Sequence, residues 1–160
     1  MKNLFFILCF VSFNLLAQTD ITLEVDGPSD LTPVGHGTYR ATKNSFFCKE
    51  FSWNDGSPRR VLKTKYVEFD SNGSKLSIPA KIKGKCKYKR VKGSVGFEIN
   101  GFAKSYNTLD ISTGQNSNEN QLKCKQIMSG PGSNTPMIHC MDQVIRVDHS
   151  GNGSIFVELR

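Results

Sequence analysis

Period-two alternation, broken about every eight to twelve residues by turn-forming clusters, constrains this chain more than any other feature. Ile21, Leu23 and Val25 alternate with Thr22 and Glu24. Leu76, Ile78, Ala80 and Ile82 share one parity, as do Val95, Phe97 and Ile99. Near the end, Ile155, Val157 and Leu159 alternate with Phe156 and Glu158. Successive strand residues point to opposite faces, so each run reads as a half-buried strand. The breaks are Gly27-Pro28-Ser29-Asp30, Asn54-Asp55-Gly56-Ser57-Pro58, Asp70-Ser71-Asn72-Gly73-Ser74 and His149-Ser150-Gly151-Asn152-Gly153, all clusters of residues that favour turns. About eight to ten short strands at this spacing imply an all-β fold: an antiparallel β-sandwich, Ig-like or similar, with a small β-barrel as the alternative. Two disulfides and several loops suit stacked sheets better than a closed barrel.

The remaining segments divide on the same signals. Gly37–Ala41 reads as a strand, and so does Phe46–Trp53, whose aromatics fall on both parities and leave its inward face open. Val61–Phe69 and the run beginning at Leu76 read as a hairpin. A second hairpin comprises Lys85–Val91, a turn at Lys92-Gly93-Ser94, and Val95–Ile99. Asn100-Gly101 is a strong hairpin signal, because both residues accept positive φ, so Phe102–Ile111 should return as a strand. Polar loops are expected at Thr113–Asn120 and Met128–Pro136, with a short strand around Leu122 and Cys124. Val144–Asp148 and Ile155–Leu159 make the clearest hairpin.

The first 17 residues point to export. Lys2 precedes an apolar run from Leu4 to Leu16 interrupted only by Ser12 and Asn14, and polarity returns after Ala17. That is the pattern of a signal peptide cut after Ala17, leaving 18–160 as a single β domain in the periplasm or secreted. An uncleaved anchor would need roughly 20 apolar residues to span a bilayer, and no later segment is long and apolar enough to be membrane-spanning. The formal charge of +7 falls to +6 without Lys2, a moderate excess that favours acidic partners.

Four of the five cysteines lie beyond the leader: Cys48, Cys86, Cys124 and Cys140. In an oxidising compartment they imply two disulfides, with three possible connectivities. The favoured set is Cys48–Cys86 with Cys124–Cys140, the second pair bracketing a loop rich in Gly, Pro, Ser and Asn. No C-x-x-C motif is present, and His139 beside Cys140 lacks a partnered motif, so no metal and no cofactor is expected.

The most unusual stretch is basic. Lys81, Lys83, Lys85, Lys87 and Lys89 share one parity, and Arg90 and Lys92 extend the charge. On one strand the lysines would stand roughly 6.6 Å apart, able to meet an acidic protein, an anionic glycan or lipid headgroups. The plainer reading is a soluble edge closed to strand addition. Nucleic acid is not expected, since the compartment is wrong and Tyr88 is the only ring in the stretch. Trp53, beside Arg59 and Arg60, has the composition of an interface anchor, although a lone Trp more often belongs to the core. No nucleophile turn G-x-S-x-G is present and no free thiol should remain. Glu50, Asp55, Glu68 and Asp70 are unmarked carboxylates. No enzyme is expected.

GTYRATKNSFFCKEF (Gly37–Phe51) and IPAKIKGKCKYKRVKGSVGFEI (Ile78–Ile99) together resemble small exported β-rich proteins and lipoproteins of Gram-negative bacteria. Those carry G-x-Y-x-A, a Cys, I-P and a later G-x-C-x-aromatic strand, and some look like periplasmic immunity proteins paired with toxins. The resemblance covers about 60 residues, supports pairing Cys48 with Cys86, implies that Tyr39 lies in the core, and transfers no catalytic residue. The chain lacks a lipobox, so lipid tethering is not carried over, and Cys124 and Cys140 fall outside the resemblance. The expectation is a non-enzymatic exported binding protein, such as an inhibitor or immunity protein docking a toxin or hydrolase. The alternative is an envelope-associated structural or adhesive module that binds an anionic glycan or surface.

Overall fold

The computed structural model describes residues 19–53, 56–99, 103–105, 107–114, 119–128, 136–141 and 143–160. The expected signal peptide lies outside them, as do the Asn100-Gly101 turn and most of the two polar loops. The described strands are β1 (Ile21–Asp26), β2 (Leu31–Ala41), β3 (Lys49–Ser52), β4 (Arg59–Leu62), β5 (Thr64–Asp70), β6 (Lys75–Ile78), β7 (Lys81–Ile82) and β8 (Tyr88–Ile99), followed by β9 (Ala103–Ser105), β10 (Leu109–Thr113), β11 (Glu119–Met128), β12 (Pro136–Cys140), β13 (Ile145–Val147) and β14 (Asn152–Leu159). One 3-10 turn, Phe46–Cys48, precedes β3.

The expected all-β sandwich is what the chain forms, with strand directions mixed. One layer runs β5–β2–β8, with β10 and β13 beyond β8. The other runs β6–β1–β14–β11–β12, and β9 joins the two by pairing antiparallel with β8 and parallel with β12. β14 is parallel to both neighbours, β1 and β11. The layers face one another: a Cβ placed on Gly35 of β2 would lie 2.9 Å from the Ile78 side chain of β6, a strand that pairs with β1 and not with β2. Between them Ile21, Leu23, Leu76, Ile78, Val95, Phe97, Leu122, Ile138, Ile145 and Ile155 are buried, each contributing about 1.5–3 kcal/mol by leaving water. β3 and β4 pair only with each other, Phe51 opposite Arg60.

Two expected hairpins are not hairpins. The turn after β5 exists, with Gly73 at φ +61°, but β5 pairs with β2 while β6 pairs with β1. The turn after β13 exists too, with Asp148 N–H donating to Asn152 O at 2.9 Å, yet β13 pairs with β10 and β14 with β1 and β11. Both turns carry the chain from one layer to the other. Asn120 bridges the second crossing: its Nδ2 donates to Arg146 O and Ser154 O, each at 2.9 Å, and its Oδ1 accepts from Arg146 N at 2.7 Å. The expected turn at Lys92-Gly93-Ser94 is absent, because β8 continues through it. Gly93 marks close packing instead, its Cβ position lying 3.1 Å from Ile21 Cδ1.

Both favoured disulfides are present, Cys48–Cys86 and Cys124–Cys140. The second joins residues directly opposite on β11 and β12 inside the main core.

Candidate docking surface

A second, smaller cluster sits at one end of the molecule. Tyr39, Ala41, Cys48, Cys86 and Tyr88 are buried there, with Leu62, Val67, Phe69 and Ile82 packed against them. The Cys48–Cys86 bond ties the 3-10 turn to the connection between β7 and β8. Backbone bonds complete the junction: Thr42 N–H donates to Lys87 O at 2.8 Å, and Lys63 N–H to Cys48 O at 2.9 Å.

Beyond this anchor project Phe46, Phe47, Phe51 and Trp53, with Phe47 81% and Trp53 74% exposed. Trp53 is therefore not a core residue. Among the described residues β3 and β4 have no third strand beside them, and the Phe51 side chain is exposed. The Arg60 guanidinium lies over Phe46, 4.0 Å from its centroid, and 5.1 Å from that of Phe51; Arg59 is exposed beside it. Large apolar patches left exposed on small proteins commonly coincide with sites of interaction.

The lysines also gather at this end, though not as one strand. β7 stops at Ile82, and the chain reverses through Gly84 at φ +157° and Lys87 at φ +48° before β8 begins. The single five-lysine strand is thus corrected to a tight hairpin in which Lys81 faces Lys89. Lys83, Lys85 and Lys87 occupy its tip, exposed, held beside Phe47 and Cys48 by the disulfide and by Cys86 Sγ near Phe47 O. Lys43, Lys49 and Lys63 border the same end by chain position. Glu50 is a carboxylate on β3, and its Oε1 accepts from Thr64 N at 3.1 Å.

Two residues leave the row. Lys92 lies on the outer face of the sheet, its Nζ 2.8 Å from Asp110 Oδ1. Arg90 is 1% exposed. Its guanidinium donates to Ile78 O, to Thr19 O at 2.6 Å and to the Tyr39 hydroxyl. Tyr39 Oη donates in turn to Pro79 O at 2.7 Å. Burial lowers the pKa of Arg90 and pushes that of Tyr39 up to about 12. The sequence signal was available: Arg90 shares the parity of Cys86 and Tyr88, the inward one. The exposure of Phe46, Phe47 and Phe51 had no such signal, because apolarity alone does not tell a covered strand from an uncovered one.

A concavity of about 640 Å³ lies on the outer face of β5–β2–β8, lined by His36, Thr38, Tyr66, Glu68, Lys92 and Ser94. Glu68, His36, Ser94 and Asp110 occupy consecutive ladder positions across four strands. His36 Nδ1 stands 3.9 Å from Glu68 Oε2, beyond the hydrogen-bond reach that would orient an imidazole as a base. Glu50, Glu68 and Asp70 do not converge, since Glu50 is on β3 and the others share β5; Asp55 lies outside the described residues. No group of three or more His, Cys, Asp or Glu among the described residues is placed to hold a metal ion.

Compared with protein families, curated proteins and solved structures, the chain matches none. What the fold and this end define is a disulfide-stapled all-β protein with an uncovered aromatic and basic surface.

Proposed function

We propose that this chain is a non-enzymatic binding protein of an oxidising compartment, periplasmic or secreted, which docks an acidic partner surface through its aromatic and basic end. One observation carries the reading: four large rings stand exposed on and beside the β3–β4 hairpin, which has no covering strand among the described residues, bordered by cations and pinned to the terminal cluster by a buried disulfide. Exposed rings in water lose the stabilisation that burial would supply, and the disulfide holds them out in a fixed arrangement, which limits the ordering needed on binding. The two buried disulfides and the leader-like N-terminus support the compartment. No helix among the described residues is long and apolar enough to cross a membrane.

Two kinds of partner suit such a surface. Trp and Arg are the residue types that dominate protein hot spots, which favours an inhibitor or immunity protein blocking a toxin or hydrolase. The density of lysine, a residue depleted from protein interface cores, favours attachment to an anionic envelope surface. The test of docking itself is retention of the oxidised protein on immobilised acidic protein, anionic glycan and anionic lipid. Phe47→Ser/Trp53→Ser and Lys83→Glu/Lys85→Glu serve as variants, and Glu119→Lys, on β11 away from this end, as control. Both double variants should lose retention, the charge variant most at low salt. Retention equal to the parent in both would remove this end from the function.

A further inference from the structure

We propose that the acidic surface is the interface of an anionic lipid bilayer, which this end enters with the Trp53, Phe46, Phe47 and Phe51 rings at the boundary between headgroups and acyl chains. The inference rests on the docking reading above and gives its partner a chemistry.

Three observations lead to it. The rings belong to the 3-10 turn, to β3 and to Trp53 just after it, and among the described residues β3 shares a sheet with β4 alone. They form a protrusion suited to entering a soft boundary, where Trp and Phe settle because their rings are apolar while the surroundings are still wet. The charge sits where such a geometry needs it. The Arg60 guanidinium lies over the Phe46 ring and approaches Phe51, and the exposed Lys83, Lys85 and Lys87 belong to the hairpin tip that the disulfide ties to the 3-10 turn. Cations clustered beside exposed aromatics are the combination that anionic membranes attract.

The lysine hairpin also stores an unfavourable contact, Lys81 directly opposite Lys89, which anionic headgroups would relieve. Lysine's flexible stem keeps its ammonium in contact with mobile phosphates. A protein partner would have to present fixed carboxylates to each one.

The chain contains one tryptophan, so its fluorescence reports on this end alone. The oxidised protein is titrated with vesicles of phosphatidylglycerol and phosphatidylcholine, and separately with phosphatidylcholine alone, following Trp53 emission and its quenching by brominated acyl chains. Anionic vesicles should shift the emission to the blue and brominated chains should quench it. Neutral vesicles should do neither, and raising salt to about 0.5 M should weaken partitioning by about tenfold or more. Lys83→Glu/Lys85→Glu should abolish binding, and Phe47→Ser should weaken it while leaving the far-ultraviolet spectrum and both disulfides intact.

Adhesion to anionic vesicles without blue shift or quenching would overturn insertion. Failure to bind vesicles, with retention on acidic protein or anionic glycan lost in the same variants, would overturn the lipid partner and leave docking standing. Failure on every support would overturn both.

Discussion

Arg90 shows how far a single residue can depart from its apparent company. It lies in a run of exposed lysines, yet its guanidinium is enclosed by the carbonyls of Ile78 and Thr19 and by Tyr39. A buried charge is tolerated only when its donors are met, and here backbone carbonyls of the first described residues and of the end of β6 meet them. Asp20 completes the setting, its Oδ1 accepting from Ala80 N at 2.7 Å. Tyr39 carries the pH consequence. Burial raises its pKa from 10.0 to about 12, so the neutral phenol is favoured in the fold. That stability is fully present below pH 10 and is lost as the pH rises through 12. Linkage puts the whole effect at roughly 2.7 kcal/mol, of which about 1.4 kcal/mol is already gone at pH 11. Tyr39→Phe lacks the ionisation. Although it starts less stable for want of the bond to Pro79 O, it should lose about 1.4 kcal/mol less than the parent between pH 9 and pH 11, as read from urea midpoints. Equal losses in the two proteins would mean that Tyr39 does not feel its burial.

Elements were legible wherever alternation met a buried face. β1, β6 and β14 follow the parities of Ile21, Leu76 and Ile155 because each has one side against the core. Their partners were not legible. A turn cluster reports that the chain bends, not whether the next strand stays in its layer, and Asp70–Ser74 and His149–Gly153 bend it across the sandwich. Gly93 misled for a related reason: a glycine admitting the Ile21 side chain looks the same in sequence as one admitting a turn. The β7–β8 hairpin shows an element whose local preferences conflict with its stability. Lys81 and Lys89 are cross-strand partners, and like charges placed so oppose pairing by about 0.2–1 kcal/mol. Lys87 meanwhile adopts φ +48°, a region that disfavours L residues with a side chain. Lys89→Glu converts repulsion to attraction and should stabilise the protein by about 0.5 kcal/mol at low salt, with the gain shrinking at about 1 M salt. The same substitution should weaken retention on anionic supports. Denaturant titration at the two salt levels measures the first effect, and an unchanged or lowered midpoint at low salt would show that these charges do not meet across the hairpin.

At the scale of the whole molecule, the two disulfides belong to different parts of it, and that division decides what each one holds. Cysteine count and spacing made the bonds legible in sequence, whereas the site they serve was only half so: Lys83, Lys85, Lys87, Trp53, Arg59 and Arg60 were visible as candidates, but exposure of the phenylalanines depends on β3–β4 finding no third strand. Chain entropy ranks the bonds weakly. Separations of 38 and 16 residues correspond to about 3.9 and 3.1 kcal/mol, a difference too small to decide their roles. Location separates them clearly. Cys124 and Cys140 pack in the main core with Leu122 and Ile138, so removing their sulfurs also opens space there. Cys48 and Cys86 lie in the terminal cluster, whose loss need not disturb β1, β11 or β14. Cys124→Ala/Cys140→Ala should therefore lower protection from hydrogen exchange throughout both layers. Cys48→Ala/Cys86→Ala should release the amides of β3, β4 and the β7–β8 connection while those of β1 and β14 keep theirs, a sub-global opening. It should also weaken docking without unfolding the sandwich. If the second variant instead loses protection uniformly, the terminal cluster and the main core are one cooperative unit, and the aromatic end is held by the whole fold rather than by its own crosslink.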